Sequence, residues 1–307
     1  MNNCPNVSSE KEFFIVAFSM SSVGQLELFF GVLVIYLTAV IGNLIIIFLV
    51  CLVPKLHTPM YFFLCNLAIF DVASTSTSIP KLLTITLTQD HWISFSCCMT
   101  QMFFFILFAN GEICMLTAMA YDRYVAVCKP LQYHTIMRKN VYLVMAASAW
   151  IISILNSLLH TTLTSILQFC NSHDINNFFC DLNTVIALSS TDITGRKILM
   201  FCEVILISLG QFLLIIISYI FIFSAIWKIR SSSGRMKAFS SCTSHLITVI
   251  LLYGPIIILY IKPETEDSKE QDKLLSLMYL VVVPMLNPLV YSLRNKDVLG
   301  AFLTLVK

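Results

Sequence analysis

Charge is the scarcest property of this sequence. Asp, Glu, Lys and Arg make up 12% of its 307 residues, while 58% are hydrophobic. Soluble domains carry roughly 25% charged residues, and the mean hydropathy of +0.84 excludes an ordinary soluble fold. A polytopic membrane protein has this composition because its lipid-facing surface must be apolar too. The net charge of +2 and the lack of basic runs exclude a nucleic-acid binder. The opening Met1-Asn2-Asn3-Cys4-Pro5 has no basic region leading into an apolar core. No cleaved signal peptide is expected, and the first span serves as its own signal. Internal repeats, paired half-helices and a polar stripe through several spans are all missing, which speaks against a transporter or channel. Ser244 and His245 are adjacent, so they point apart on a helix, and no nucleophile motif surrounds them; the chain is not read as an enzyme.

What the sequence does have is apolar runs of membrane-spanning length, about 20 residues each. Seven are found, at 28–53, 58–87, 99–127, 141–167, 198–227, 238–261 and 274–293. The expectation is an all-α membrane protein, one seven-helix bundle over 1–307. Residues 1–25 lie outside the cell, 26–293 form the bundle, and 294–307 form a cytoplasmic segment with a short amphipathic helix. Loop charges set this orientation. One set of loops holds Lys55, Lys129, Arg138, Lys139, Lys228, Arg230, Arg235, Lys237, Arg294, Lys296 and Lys307, with Asp297 as their one acid besides Asp122. The other set holds seven basic residues among twelve acids. Basic loops stay in the cytoplasm, so the N-terminus is outside and the C-terminus inside. The one glycosylation sequon, Asn6-Val7-Ser8, falls on the outside, as do Cys97, Cys98, Cys170 and Cys180, where disulfides persist.

The polar residues inside the spans carry the chemistry, because ionisable groups in a membrane are expensive. Asp122 and Arg123 sit together at the inner end of the third span. The residues alone leave two readings of Arg123, a snorkelling anchor or a switch. Glu112 precedes Arg123 by eleven residues, close to three turns of helix, so both lie on one face. Asp71 is the second buried acid. These carboxylates, with Asn43 and Asn287, suit a sodium ion held by oxygen ligands; alternatively one acid is protonated and hydrogen-bonded. Met102, Phe105, Ile106 and Ala109 recur at helical spacing on the outer half of the third span, beside Asn110, as do Tyr253, Ile256, Ile257 and Tyr260 on the sixth. Such stripes are either core or the wall of an apolar ligand site. The third span has no acid from Met102 to Ala109 to pair an amine, although Glu203 keeps a cationic ligand open. The seventh span has no lysine for a Schiff base.

These residues stand in a set of motifs: Gly42-Asn43; Leu-His-Thr-Pro-Met-Tyr-Phe-Phe-Leu at 56–64; Met-Ala-Tyr-Asp-Arg-Tyr from 119, running to Tyr133; Ser218-Tyr219; Lys-Ala-Phe-Ser-Ser-Cys-Thr-Ser-His-Leu at 237–246; and Pro-Met-Leu-Asn-Pro-Leu-Val-Tyr from 284. In this order the chain resembles the odorant receptors, seven-helix receptors coupled to G proteins, over nearly its whole length. The Leu-His-Thr-Pro form resembles the tetrapod-type class.

The resemblance implies a plasma-membrane receptor for a small, mostly hydrophobic odorant, acting on a heterotrimeric Gs-type olfactory protein to raise cAMP. A chemosensor outside olfactory tissue is the alternative within the family, and a small-molecule transporter the alternative outside it. Arg123 would leave Asp122 for Tyr219 and the G protein on activation, with Tyr124 alongside. Asn287, Pro288 and Tyr291 would form a second breakable element, since Pro288 removes a backbone donor. Glu203 and Ile207 would close the ligand site over a floor at Tyr253, and Cys98 would bridge Cys180. No cofactor is implied beyond the sodium ion. Three positions depart from the family's pattern. Ser190 stands where the partner of Cys170 is usual, Cys97 where glycine is common, and Arg196-Lys197 where Asn-Glu is common. A Cys97–Cys170 bridge is one expectation from this, although connectivity cannot be read from sequence.

Overall fold

A computed structural model describes residues 12–170, 173–261, 266–294 and 296–306. The Asn6 sequon lies outside them. The seven expected spans are present as helices: α1 (Ser22–Leu52), α2 (Pro59–Thr88), α3 (Phe95–Cys128), α4 (Lys139–Ser165), α5 (Thr194–Trp227), α6 (Ser232–Ile261) and α7 (266–294). A further helix, α8 (Lys296–Val306), follows. The first six run 27–34 residues, roughly 40–50 Å at 1.5 Å per residue. They overshoot a hydrocarbon core of about 30 Å, and all but α2 begin two to six residues before the apolar runs. The chain is a multi-pass membrane protein. The bundle face that carries residue 12 is called the N-face below, and the face that carries α8 the C-face.

Local chemistry sets the helix ends. Ser21 and Ser94 cap α1 and α3 by accepting from Gly24 and Cys97 amides, each at 3.3 Å. Pro59 opens α2, where its missing N–H is no loss. Two helices contain a short π-helical turn, α5 at Val204–Leu209 and α7 at Met278–Val282. α3 is the most enclosed helix, against α2, α4, α5 and α6. α4 and α5 mostly face outward. The buried residues of α4 are Ala146, Ala149, Ser153, Ser157, His160 and Thr164, a small and polar face of the kind that lets membrane helices approach closely. Two glycines serve the same end. A Cβ on Gly42 would meet the Pro288 ring at 3.1 Å, and one on Gly111 would meet the Phe70 ring at 2.5 Å.

To the all-helical expectation the structure adds a small sheet over the N-face. β1 (Glu12–Ile15) pairs antiparallel with β2 (Trp92–Ser94) and parallel with β3 (Asp174–Ile175), in the order β2-β1-β3. Phe13, Ile15 and Ala17 are buried in one cluster with Phe178, Phe179 and Cys180. The segment after β1 is therefore part of a second core that caps the bundle. Lys273 secures it. The expected seventh span began at 274, but α7 starts earlier and includes this lysine, which is almost fully buried. Its Nζ donates to the Ala17 carbonyl at 2.7 Å and to Glu270 Oε1 at 2.8 Å.

Candidate functional site

The C-face end of α3 holds the Asp122–Arg123 pair. Asp122 is buried, with its Oδ2 3.9 Å from Arg123 Nε. Its Oδ1 accepts from the Tyr133 hydroxyl at 2.7 Å. Tyr133 lies beyond the span in a one-turn helix; burial, and then the Asp122 carboxylate it faces, push its phenol above the ordinary value. Arg123 Nε also points at Met60 Sδ, 3.4 Å away on α2. Tyr124 is half-buried near Phe221, with the Lys129 ammonium 5.9 Å from its ring centroid.

Among the described residues Tyr219 makes no bond to Arg123; His245 holds it instead. His245, fully buried on α6, places Nε2 2.9 Å from the Leu116 carbonyl of α3. A carbonyl only accepts, so Nε2 carries the proton, and Nδ1 of the neutral ring then accepts the Tyr219 hydroxyl at 2.8 Å. The two rings stack, 14° apart. One imidazole thus ties α3, α5 and α6 together. Intramembrane ionisable residues are functional by default, and that signal was present in the sequence.

Above this end lies the acidic pair. Asp71 Oδ2 accepts from Asn287 Nδ2 at 2.8 Å, and Glu112 is buried on α3. Asp71 Oδ1, Glu112 Oε1 and Asn287 Oδ1 are buried with no hydrogen-bond partner. Unpaired acceptors in a buried site call for a cation or a proton, so the donor set fits sodium. Asn43 Nδ2 donates to the carbonyls of Ala39, at 3.0 Å, and Pro284, at 2.9 Å. Pro288 packs on Gly42, and the Tyr291 hydroxyl one turn on is buried without a partner. Among the described residues no three of His, Cys, Asp and Glu converge on a metal site.

The ligand stripes of the N-face half are enclosed. Met102, Phe105 and Ile106 are buried and Ala109 packs on them. Phe105 meets Phe179 of the capping loop with ring centroids 4.9 Å apart, and Tyr279 of α7 at 6.3 Å. Tyr253 is buried against Phe212, centroids 4.7 Å apart, and its hydroxyl is unpartnered. Ile256 packs against the same core and Ile207 is half-buried. Ile257 is a correction. It is among the exposed apolar residues and faces out of the bundle, because its position on α6 is one step round from Ile256. The side chain of Tyr260 lies outside the described residues. A cleft of about 470 Å³ opens elsewhere, around Phe14 to Ser21, Gln25 and His91 on the N-face, and is not this wall.

Glu203 is joined to α4, where its carboxylate takes His160 Nε2 and Asn156 Nδ2. Asn156 Oδ1 accepts in turn from Asn110 Nδ2 at 2.9 Å. Farther in, Thr117 donates to Gln211 Oε1 at 3.2 Å and Gln211 Nε2 reaches Cys114 Sγ at 3.6 Å. A polar seam therefore does run through α3, α4 and α5, contrary to expectation. Asn156 and His160, one turn apart in an apolar run, were its readable signal.

The capping loop is tied by the Cys98–Cys180 disulfide, and the Cys180 amide donates to Gln101 Oε1 at 2.9 Å. The Cys97–Cys170 bridge is ruled out. Cys97 is a free, exposed thiol, whereas Cys170 is disulfide-bonded to a partner outside the described residues. The Cys170 amide still donates to Ser190 Oγ at 3.1 Å, so Ser190 occupies the place of the usual partner without its chemistry.

A seven-helix bundle with a buried acid–arginine pair at one end of α3, a carboxylate pair in mid-membrane and an enclosed apolar half beyond defines a membrane receptor of the G-protein-coupled kind. The family model described as "Olfactory receptor" matches residues 32–307. Mouse olfactory receptor 5AR1 is 44% identical over 301 residues, covering 98% of this chain and 97% of that protein. Human olfactory receptor 13C9 is 45% identical over 293 residues, 94% of this chain and 92% of the other. The chain belongs to the olfactory receptor family.

Proposed function

We propose that the chain binds a small, mostly hydrophobic odorant in the N-face half of the bundle and activates a Gs-type olfactory G protein through the C-face end of α3, raising cAMP. One observation carries this reading: α3 alone bears the enclosed stripe at Met102–Ile106, the mid-membrane Glu112 and the Asp122–Arg123 pair. A ligand that shifts Tyr253, which packs on Phe212 of α5, would be felt by the same two helices that His245 ties to α3. The N-face is extracellular on this reading, the C-face cytosolic and the membrane the plasma membrane. The basic loops of the C-face support that, and a glycan on Asn6 is expected with it. A panel of chemically diverse odorants tested on cells bearing the receptor and the olfactory G protein is the direct experiment. A cAMP rise with no uptake of labelled odorant supports a receptor, and uptake without cAMP supports a transporter.

The mid-membrane pair is the proposed sodium site. Asp71 and Glu112 would hold the ion with the Asn287 carbonyl, one acid ionised and the other protonated so that the buried site is neutral, and the ion would favour the closed form. Odorant potency should then fall when sodium replaces a large organic cation, and Glu112→Gln should lose that dependence. Equal potency with and without sodium in the wild type removes the site.

A further inference from the structure

Both oxygens of Glu203 already hold a donor, and that defines what else the group can take. An ionised carboxylate offers about four lone-pair positions; His160 Nε2 and Asn156 Nδ2 use two. The Asn156 amide oxygen is itself taken by Asn110. What remains is acceptor capacity on a carboxylate that keeps 19% of its surface. Its position is also apt. It directly precedes the π-turn Val204–Leu209 of α5, and such turns in α-helices are frequent at functional sites. Ile207, one turn along, begins the apolar part of the wall.

We infer that Glu203, aimed by His160 and Asn156 of α4, is the head-group subsite of this receptor, and that it selects ligands whose polar head donates a hydrogen bond. The shared chemistry is an O–H or N–H head on an apolar tail, an alcohol or a primary amine. Heads that only accept, such as aldehydes, ketones and ethers, bring lone pairs against lone pairs and leave its remaining acceptor positions unfilled. A neutral hydroxyl suffices as such a head. The inference rests on the reading of the N-face half as the odorant site, and it assigns to α4 residues a role in specificity that the apolar stripes do not supply. His160 and Asn156 are positioning residues: they fix the carboxylate and need not touch the ligand.

The test uses four probes of eight carbons and one heteroatom each: octanol, octylamine, octanal and heptyl methyl ether. Each is applied to the full-length receptor in reporter cells, with surface staining for every variant. The wild type should respond to octanol or octylamine at concentrations at least about tenfold lower than to octanal or the ether. The alcohol and amine arms show whether charge matters. Glu203→Leu should remove that preference by weakening the donor ligands about tenfold while leaving octanal nearly unchanged. Asn156→Leu releases the carboxylate from α4, so it should weaken the donor ligands while leaving octanal nearly unchanged, a selective loss that misfolding cannot imitate. A donor preference that survives Glu203→Leu, or the same shift for all four probes, overturns the inference while leaving the odorant site standing. A wild type at the surface that answers none of the four, yet answers other odorants only through donor-free heads, overturns it as well. A wild type that answers no odorant overturns the site reading and the inference together.

Discussion

His245→Phe is the most informative single change at the C-face. Phenylalanine keeps a flat ring in the space that stacks on Tyr219, so the change removes hydrogen bonds with little change in volume. Two are lost: Nε2–H to the Leu116 carbonyl at 2.9 Å and the Tyr219 hydroxyl to Nδ1 at 2.8 Å. At about 1 kcal/mol net each, the form in which α3, α5 and α6 are tied together loses about 2 kcal/mol. If the tie breaks when α6 moves away, the open form loses nothing, and the balance shifts toward it about thirtyfold. The freed Tyr219 hydroxyl turns its proton to the Cys242 carbonyl, 3.3 Å away, so release is partial. The assay is cAMP without odorant, normalised to receptor at the surface. Basal signalling should rise clearly, and His245→Gln should recover part of the restraint. Unchanged basal signalling at equal surface level, with odorant responses intact, would refute the assignment of His245 as a restraint.

Three further outcomes follow from close contacts elsewhere. Gly111→Ala places a methyl 2.5 Å from the Phe70 ring and should cost about 1–3 kcal/mol by overpacking, read as a lower melting temperature in detergent. Lys273→Met leaves the Ala17 carbonyl without its donor and should cost about 1–3 kcal/mol; faster proteolysis around residues 12–20 is the more specific sign, and an unchanged cleavage rate counts against the tie. In the non-reduced protein, Cys97 should alkylate at once and Cys170 only after reduction; early labelling of Cys170 would contradict its bonded state.

The seven helices were legible because each is an apolar run too long for a soluble core, and the order of the motifs made the family legible as well. The sheet was not. β1 is four residues and β3 two, and their pairing depends on loops far apart in sequence. The Asp71–Asn287 contact was visible because polar residues stand out in apolar spans. Where each would point was not, since Asn43 finds backbone carbonyls of α1 and α7, and Glu203 finds α4. Ile257 shows the limit of periodicity, because a stripe at spacing three and four cannot say which edge meets lipid. Asn156 and His160 carried the same polar-in-apolar signal as Asp71, yet lay in a span that the stripes did not use.

Arg123→Ala, tested beside the wild type with the same odorant panel, bears most directly on the link between the apolar half and the C-face. The account predicts that at least one odorant raises cAMP through the wild type, and that the variant, at equal surface level, still binds that odorant but does not signal. An Arg123→Ala receptor that signals like the wild type would contradict it.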